Sequence, residues 1–468
     1  MFIRELLPFV ENYLDELDKA LRVYAPEKAL SRTQRYWLGF CIMGILLTNS
    51  VNWAGFARSS LGQYKANALC WMFRHSKIAW ELLFHMSLRI VLERYGITEG
   101  ILAVDDTDKK RSKSAKKIYG LHKVKDKSTG GFFMGQGLVF LVLVTPRVTI
   151  PAGFAFHRPD PKLSQWYKEN ERLKRKGIPA PDRPKKPERS AKYPTMAIIS
   201  LTLLSEFKKY HPQIRIQAIV ADALYGTAEF MDGASACFGG VQVVSQLRSN
   251  QKVKFRNRTL SVKAYFERYP GISQKIRIRG GEEVLVHICS ARLYVHAHGK
   301  KRFVIALKYE GETEYRYLVA ADLTWRTVDI VQVYTLRWLI EVFFQDHKAN
   351  EGWGKLTKQI GKEGSHRSLT LSLLVDHCIM FHPDQLAFLE NNLPAKTVGS
   401  LCETIRVESI LVLIQDILSK NDPNSEFERL STFLKEQFSK QNLSDKHMNA
   451  RIWGNFQPSP SLRYRAAA

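Results

Sequence analysis

The sequence lacks the paired cysteines, the long apolar runs and the acidic surplus that mark several large classes of protein. Its six cysteines are scattered, and no two of them form a C-x-x-C pair. This spacing favours reduced thiols in a cytoplasmic protein over a disulfide framework or a zinc site. The longest apolar run, residues 37–47, is too short to span a membrane, and the N-terminal residues show no signal-peptide pattern.

What the sequence has in excess is positive charge. Lysine and arginine total 70 residues against 45 aspartates and glutamates, which gives a formal net charge of +25. A surplus of this size indicates a polyanionic partner, with nucleic acid favoured over an acidic membrane surface. A merely basic soluble protein is the alternative, because net charge bears on partners and not on fold. At 468 residues the chain is long enough for several structural units.

One segment near residue 340 combines a phenol, an acid and two bases at helical spacing. On a continuous helix, Tyr334, Arg337, Glu341 and Lys348 would share one narrow face. The predicted apolar face consists of Leu336, Leu339, Ile340, Phe343 and Phe344. An acid flanked by permanent cations suits a metal ligand beside bound phosphate, whereas ordinary ion pairs on a solvated helix face are the alternative.

Two predicted buried strands end in a carboxylate. The first, residues 101–104, leads into Asp105, and the second, residues 214–220, is followed by Asp222. In α/β sheets the carboxyl ends of strands are where ligands bind, although such an acid is often only a turn or capping residue. Together with Glu341 these residues supply three carboxylates, the ligand type that Mg²⁺ prefers. We therefore predict a divalent-metal site.

These motifs resemble those of the bacterial insertion-sequence transposases of the DDE type, in the group defined by a Y-R-E-K signature (the fourth insertion-sequence family and its relatives). Tyr334, Arg337, Glu341 and Lys348 match that signature at every spacing. The resemblance covers residues 100–350, and both flanks match only in general character.

The two acidic motifs extend this resemblance. The strand that ends in Asp105 is similar to the family's first acidic motif, and the sequence from Asp222 to Gly226 is similar to the second. The resemblance implies that Asp105, Asp222 and Glu341 are the catalytic acids and that they hold two Mg²⁺ ions, for which Mn²⁺ can substitute. Asp106 is the rival to Asp105 as the first ligand.

The resemblance also implies a fold and an activity. The expected fold is α/β, with a ribonuclease-H-like catalytic core, a β-rich insertion and helical N- and C-terminal regions. The expected enzyme is a DNA transposase that cleaves at the ends of an insertion sequence and joins the 3′-OH to target DNA. The expected segments are residues 1–97, helical and DNA-end-binding; 98–240, the first part of the core; 241–325, the insertion; 326–352, the signature helix; and 353–468, a helical region for possible dimerisation with a disordered tail from residue 457.

We predict DNA contacts from the signature and from basic residues elsewhere. Tyr334, Arg337 and Lys348 would grip phosphates. The other candidates are Lys109, Lys110, Arg111, His122, Lys125 and Trp325. Residues 161–194, rich in proline, lysine and arginine, predict a long surface loop against DNA. Residues 51–75 fit either a helix-turn-helix or a plain helical bundle.

The expected partners are double-stranded DNA, at the element ends and at the target, and a second copy of the chain; no membrane partner is expected. The candidate residues for self-association are Leu371, Leu373, Leu374 and Ile379, and closure of the chain's own core, the commoner role of such residues, is the alternative. We expect a bacterial cytoplasmic, nucleoid-associated protein. Three alternatives stay open: a ribonuclease-H-like endonuclease without strand transfer, a non-catalytic DNA-binding protein derived from a transposase, and a tyrosine recombinase with Tyr334 as its nucleophile.

Overall fold

The computed structural model describes residues 5–112, 115–126, 128–356 and 359–438. Within these residues, helices occupy both ends of the chain and most strands lie between them. The helices are α1 (Pro8–Tyr24), α2 (Arg32–Thr48), α3 (Trp53–Ser59), α4 (Ala66–His75), α5 (Trp80–Arg94), α6 (Pro161–Arg175), α7 (Met196–Tyr210), α8 (Ala228–Cys237), α9 (Val262–Arg268), α10 (Thr327–Thr335), α11 (Trp338–Asn350), α12 (Gly361–Ile379), α13 (Pro383–Glu390), α14 (Val398–Leu418) and α15 (Pro423–Phe438). The strands are β1 (Glu99–Arg111), β2 (Leu121–Lys125), β3 (Phe132–Val144), β4 (Thr149–His157), β5 (Arg215–Ala221), β6 (Gln242–Leu247), β7 (Lys252–Phe255), β8 (Arg258–Ser261), β9 (Ile272–Arg277), β10 (Glu283–Val295), β11 (Lys300–Tyr309) and β12 (Arg316–Ala320).

Five strands form the centre of one mixed sheet in ribonuclease-H-like order. β3 pairs antiparallel with both β4 and β1, while β5 and β6 extend the sheet parallel to β1. Two parallel neighbouring strands need a crossover connection. The crossover before β5 contains α7, and the crossover before β6 contains α8. The predicted α/β class is confirmed, and the strands that lead to the first two acids are neighbours, as expected.

The β-rich insertion adds its strands to the edge of this same sheet. β12 pairs with β6, and β11, β10, β7 and β8 follow outward, with β9 paired to β10. One predicted boundary is wrong, because β6 lies in the core although we placed residues 241–325 in the insertion. β6 pairs in parallel with β5 after the α8 crossover, so the insertion begins after Leu247.

The N-terminal helices pack into the same hydrophobic core as the sheet. Ser31 caps α2 in a reciprocal capping box with Gln34, in which each side chain accepts the other's backbone N–H. The stretch that fits a helix-turn-helix forms α3 and α4, and its second helix begins at Ala66. Trp71 on α4 is 59% exposed, and DNA contact by this helix stays a prediction.

The basic segment between β4 and α7 does not form a simple loop, so that prediction is wrong for its first half. Residues 161–175 form α6, which Asp160 caps by accepting the N–H groups of Lys162 and Leu163. The proline and charge content misled the prediction, because Pro161 occupies the first helical turn, where a proline is favourable.

The candidate self-association residues close the chain's own core, which was the alternative for them. Leu371, Leu373, Leu374 and Ile379 lie on α12 and are fully buried in the core of one chain. The apolar pattern of a helix shows that one face is covered, but it does not distinguish cover by the same chain from cover by a partner. The exposed apolar side chains of this region include Val407, Ile410 and Leu411 on α14.

The chain divides into two compact units, residues 1–411 and 412–468. The first contains the sheet and every predicted site residue. The described part of the second consists of the end of α14 and α15. The tail from residue 457, for which we predicted disorder, lies outside the described residues. Across the residues described above, no helix is both long and apolar enough to cross a membrane.

Leu371 provides a test of the intrachain core. Leu371→Ala should lower the free energy of unfolding by about 2–5 kcal/mol, because it leaves a cavity in a packed core. Urea unfolding followed by tryptophan fluorescence measures this change. Leu393→Ala is the control, since Leu393 is 49% exposed and its change should stay within about 0.5 kcal/mol. Unchanged stability together with lost self-association would instead restore the original prediction for α12.

Candidate active site

Two of the three predicted acids lie side by side where a parallel strand pair ends. The pairing of β1 with β5 stops at Val104 and Ala221, and the next residues are Asp105 and Asp222. Asp105 does not end its strand as predicted, because β1 continues to Arg111 along β3. The first acid therefore projects from within a strand, and the second follows the end of its strand.

The signature segment forms two helices, so the prediction of one continuous helix is wrong. Leu336 and Arg337 separate α10 from α11, and their N–H groups donate to carbonyls three residues earlier at 3.2 and 3.1 Å. This spacing tightens the turn toward 3₁₀ geometry. Tyr334 belongs to α10, whereas Glu341 lies in the first turn of α11 and Lys348 in its last turn.

Arg337 joins the first acid to the third. Its Nη1 lies 2.9 Å from Oδ2 of Asp105, and its Nη2 lies 2.6 Å from Oε1 of Glu341. The side chains of Arg337 and Asp105 are only 15% and 13% exposed, and that of Glu341 is 37% exposed. The guanidinium group also lies 5.9 Å from the centre of the Tyr334 ring. Three of the four signature residues thus meet within one cleft.

Burial dominates the electrostatics of Asp105. Removal from water raises the pKa of its carboxyl group to about 7, while the N–H of Asp106 and the guanidinium of Arg337 oppose that rise. The N–H of Asp106 donates to Oδ1 of Asp105 at 2.8 Å. A carboxylate that burial disfavours gains most from a cation beside it. Asp105 therefore has the environment of a cation ligand.

The loop after Asp222 is fixed by close backbone packing. Ser245 on β6 donates its hydroxyl to the carbonyl oxygen of Asp222 at 2.7 Å. A Cβ atom at Gly226 would lie 2.2 Å from the carbonyl oxygen of Gln246, so only glycine fits there. The glycine in the second acidic motif is thus required by the approach of β6, and this contact holds the backbone that carries Asp222.

The insertion also supports this loop through residues that the sequence did not reveal. His298 Nε2 donates to the carbonyl of Gly226 at 3.1 Å, and Arg302 Nε donates to His298 Nδ1 at 3.1 Å. Arg302 is 2% exposed and pairs with Asp232 on α8 at 2.6 Å. These residues lie far from the acidic motif in sequence, and no motif around them indicates that they support it.

Two of the predicted DNA-binding cations point inward instead. Lys109 is buried and donates to the carbonyls of Trp353 and Gly354. Arg111 donates to the carbonyl of Leu356 at 3.0 Å. Burial lowers the pKa of Lys109 to about 7, and the positive charges nearby add to that effect. In this structure both side chains hold the segment after α11, and DNA contact by either stays a prediction.

The other DNA candidates are spread over the molecule. Lys348 Nζ donates to Oγ1 of Thr107 at 2.9 Å, which brings the last signature residue to β1 beyond Asp105. The candidates away from the carboxylates are the exposed Lys110 and Lys125 and the half-buried His122 and Trp325. His122 lies on β2, where its Nδ1 is 2.8 Å from the carbonyl of Gly120.

Tyr334 and Trp338 line a pocket of about 210 Å³ beside the carboxylates, together with Arg337 and Gln246. Trp338 is 50% exposed. It is the first residue of α11, directly after the tightened turn.

The three acids provide the right donor atoms for a divalent cation, since each is an oxygen ligand. In the present arrangement, however, the three carboxylates are not positioned to bind one metal ion together. In the described part of the chain, no three His, Cys, Asp or Glu side chains are grouped closely enough to hold a metal ion. Arg337 lies between Asp105 and Glu341 and satisfies both. The donor set thus fits a divalent ion once this guanidinium group moves aside.

A buried acidic cluster anchors the C-terminal end of α11. His347 Nδ1 lies 2.6 Å from Oε2 of Glu351, and Ser372 donates to the carbonyl of Glu351 at 2.5 Å. Burial raises the pKa of Glu351, and it raises that of the neighbouring Asp376 further with the help of the Glu351 charge. Burial also keeps His347 neutral by lowering its pKa to about 3. Glu351 and Asp376 therefore each retain a proton.

Comparison with known proteins identifies the family. Residues 27–269 match the family described as DDE superfamily endonuclease, so the chain belongs to that family of enzymes. Its members generally use divalent metal ions. The matched residues include Asp105 and Asp222 and end before Glu341. The prediction of a DDE-type enzyme is confirmed at this level.

Other comparisons are more distant. No curated protein matches the chain. Among solved structures, the chain is similar to a structure described as the cryo-EM structure of the piggyBac transposase synaptic complex with hairpin DNA. That similarity has a TM-score of 0.44 and 9% sequence identity, and it covers 95% of this chain and 86% of the other.

The proton that Glu351 retains predicts a pH dependence. The folded chain keeps a proton that an unfolded glutamate has released, so the free energy of unfolding should fall as pH rises above the ordinary glutamate range. Glu351→Gln should flatten that decline by up to about 1.4 kcal/mol per pH unit. Urea unfolding between about pH 6.5 and 8 avoids most histidine titration in the unfolded chain. Glu363→Gln, exposed on α12, should keep the wild-type slope, and an equal slope in Glu351→Gln would contradict the retention of a proton by Glu351.

Proposed function

We propose that the chain is a DDE transposase of the Y-R-E-K group, which cleaves DNA at the ends of an insertion sequence and joins the freed 3′-OH to target DNA. The observation that supports this most is the meeting of the motif residues at one arginine. Asp105 and Arg337 are 232 residues apart in the sequence, yet they form an ion pair. Arg337 also holds Glu341, and the strand register brings Asp222 beside Asp105.

Asp105, Asp222 and Glu341 are the residues that would hold Mg²⁺, as two ions, with Mn²⁺ as a substitute. When bound, these ions lower the pKa of the attacking water or 3′-OH and neutralise charge on the transferred phosphoryl group. The chain itself contributes position. The sheet fixes two carboxylates side by side, and α11 carries the third on its first turn.

Arg337 and Lys348 would bind DNA phosphates beside the acids. The planar fork of Arg337 already binds two carboxylates, and it suits two phosphate oxygens equally well. The ammonium group of Lys348 donates to the neutral hydroxyl of Thr107. A phosphate can replace that hydroxyl, and its negative charge would attract the ammonium group more strongly. DNA binding would then draw Arg337 away from Asp105 and Glu341 and leave both free for metal.

The alternatives differ in what they require of the site. A tyrosine recombinase needs a reactive phenol, but burial raises the pKa of Tyr334, which is the wrong direction for a nucleophile. A non-catalytic DNA-binding protein has no need for Asp105, Asp222 and Glu341 to converge. An endonuclease without strand transfer is supported by the family description, and a strand-transfer assay with candidate element ends and Mg²⁺ distinguishes it from a transposase.

The proposed partners follow from the reaction. The substrates are double-stranded DNA at the element ends and at the target, which the net charge of +25 favours. Two ends must be joined together, so we expect two chains in the DNA complex. The site of action would be the bacterial nucleoid.

The first test removes the acids one at a time. Asp105→Asn, Asp222→Asn and Glu341→Gln should each reduce Mg²⁺-dependent nicking by about 10³-fold or more, because each removes a proposed metal ligand. DNA affinity in a gel-shift assay should stay close to that of the wild type, since the basic surface is unchanged.

Two further variants sharpen that test. Asp346→Asn, on the same helix as Glu341, is the matched control and should nick normally. Asp106→Asn tests the rival first ligand. If Asp106→Asn is inactive while Asp105→Asn is active, the first ligand is Asp106.

The second test separates the two roles of Arg337. Arg337→Gln should raise the affinity of the free protein for Mn²⁺ by about tenfold or more, because two carboxylates lose a charged hydrogen-bond partner. The same change should lower nicking and strand transfer, because a phosphate contact is lost. Calorimetric titration measures the affinity without any catalytic readout.

Arg326→Gln is the control, since Arg326 forms a comparable ion pair with Asp329 on α10 outside the site. Arg337→Lys should not restore full activity, because an ammonium group cannot replace the bidentate fork. Unchanged Mn²⁺ affinity in Arg337→Gln would show that the guanidinium group does not compete with metal.

A further inference from the structure

The segment between β4 and α7 is basic but well folded. We name residues 160–194 the basic hairpin. Between residues 162 and 192 it contains eleven lysines and arginines against four acids. Asp160 closes its base, because one carboxylate oxygen caps α6 and the other accepts the N–H of Ser190 at 2.9 Å. The two limbs of the segment are therefore tied together where it leaves the core.

A second tie lies further out. Trp166 Nε1 donates to the carbonyl of Pro184 at 2.7 Å, and Lys186 lies 5.6 Å from the centre of the Tyr167 ring. Leu163 is the buried residue of α6, so apolar burial contributes little here. A highly charged segment normally remains disordered, because it cannot offset the entropy of ordering. The polar ties instead hold this one in a defined shape.

That shape presents cations in a regular array. Lys168, Arg172 and Arg175 follow one face of α6, at spacings of four and three residues, on the side away from Leu163. Arg172 and Arg175 pair with Glu169 and Glu171 on the same helix. The exposed lysines of this limb are Lys162, Lys168, Lys174 and Lys176. A helix bearing exposed cations at fixed spacing suits the evenly spaced phosphates of a nucleic-acid backbone.

The position of the hairpin relates it to the proposed active site. β4 ends at His157, which lies opposite Gly137 on β3, and Gly137 lies opposite Asp108 on β1. Asp108 is three residues beyond Asp105. Two strand spacings and three residues of rise put His157, at the end of β4, about 14 Å from Asp105, and the hairpin begins three residues later. The hairpin therefore leaves the sheet at the end where the carboxylates lie.

We propose that the basic hairpin is a second DNA-binding surface, which holds the backbone of the duplex to one side of the reacting phosphate. The distance of about 14 Å between Asp105 and the end of β4 corresponds to about four base pairs at 3.4 Å each. The identity of the reacting phosphate rests on the function proposed above, whereas the binding of duplex DNA by the hairpin does not. The contact is to the backbone, so it is independent of base sequence.

The test neutralises three lysines and leaves the ties and ion pairs in place. The variant combines Lys168→Gln, Lys174→Gln and Lys176→Gln, because glutamine keeps the helix propensity of lysine. Binding to a duplex of about 30 base pairs of arbitrary sequence is measured by fluorescence anisotropy from about 50 to 200 mM salt. The slope of log affinity against log salt should become shallower by up to about 2.7, which is about 0.9 for each lost phosphate contact. Affinity at low salt should fall by about tenfold or more.

The matched control combines Lys252→Gln, Lys254→Gln and Lys301→Gln. These exposed lysines lie on β7 and β11 of the insertion, on the far side of β6 from β4. The control has the same net charge as the first variant, so a general charge effect would shift both equally. Equal slopes and affinities in the two variants would overturn the proposal.

The outcome also separates this inference from the proposed function. A hairpin variant that binds like the control defeats the inference, whether or not the wild type cuts DNA. A wild type that binds DNA through the hairpin but cuts no DNA with Mg²⁺ leaves the inference standing and defeats the proposed function. Thermal unfolding of both variants confirms that the exposed substitutions leave the fold intact.

Discussion

The site depends on one guanidinium group shared by two carboxylates. Asp105 projects from a strand and Glu341 from the first turn of a helix, and Arg337 bonds to both. In a cleft with little water, two carboxylates this close would repel each other strongly and hold α11 away from the sheet. The planar fork of Arg337 removes that repulsion and sets the separation between helix and strand. Lys348 secures the far end of the same helix through Thr107.

Local signals in the sequence were sufficient to predict the two neighbouring strands that lead to Asp105 and Asp222. Asp105 and Asp222 each follow a short apolar strand, and the pairing of those strands brings the acids together. α7 precedes β5 and α8 precedes β6, and a helix in that position is typical of a connection between parallel strands. Glu341 was selected as the third acid from its spacing to Tyr334, Arg337 and Lys348 in the signature. These features are carried by neighbours in sequence, which is why they could be predicted.

Features that depend on distant contacts could not be predicted in this way. The break between α10 and α11 falls at Leu336 and Arg337, which both favour helix, so nothing in the sequence marks it. Lys109 has an inward orientation because β1 continues beyond Asp105 and meets the segment after α11. The same limit applies to Leu371, because its apolar periodicity indicates burial without indicating which chain provides the cover.

The continuity of the sheet has a mechanical consequence. β5 lies between β1 and β6, and β6 is bonded in turn to the first strand of the insertion's ladder, β12. A strand with neighbours on both sides opens only when the sheet itself comes apart, so its amide hydrogens exchange with solvent slowly. If a bound partner displaces the insertion, the paired strands should therefore move together as a rigid unit. Asp222 would shift with them, and the backbone around it would not unfold locally.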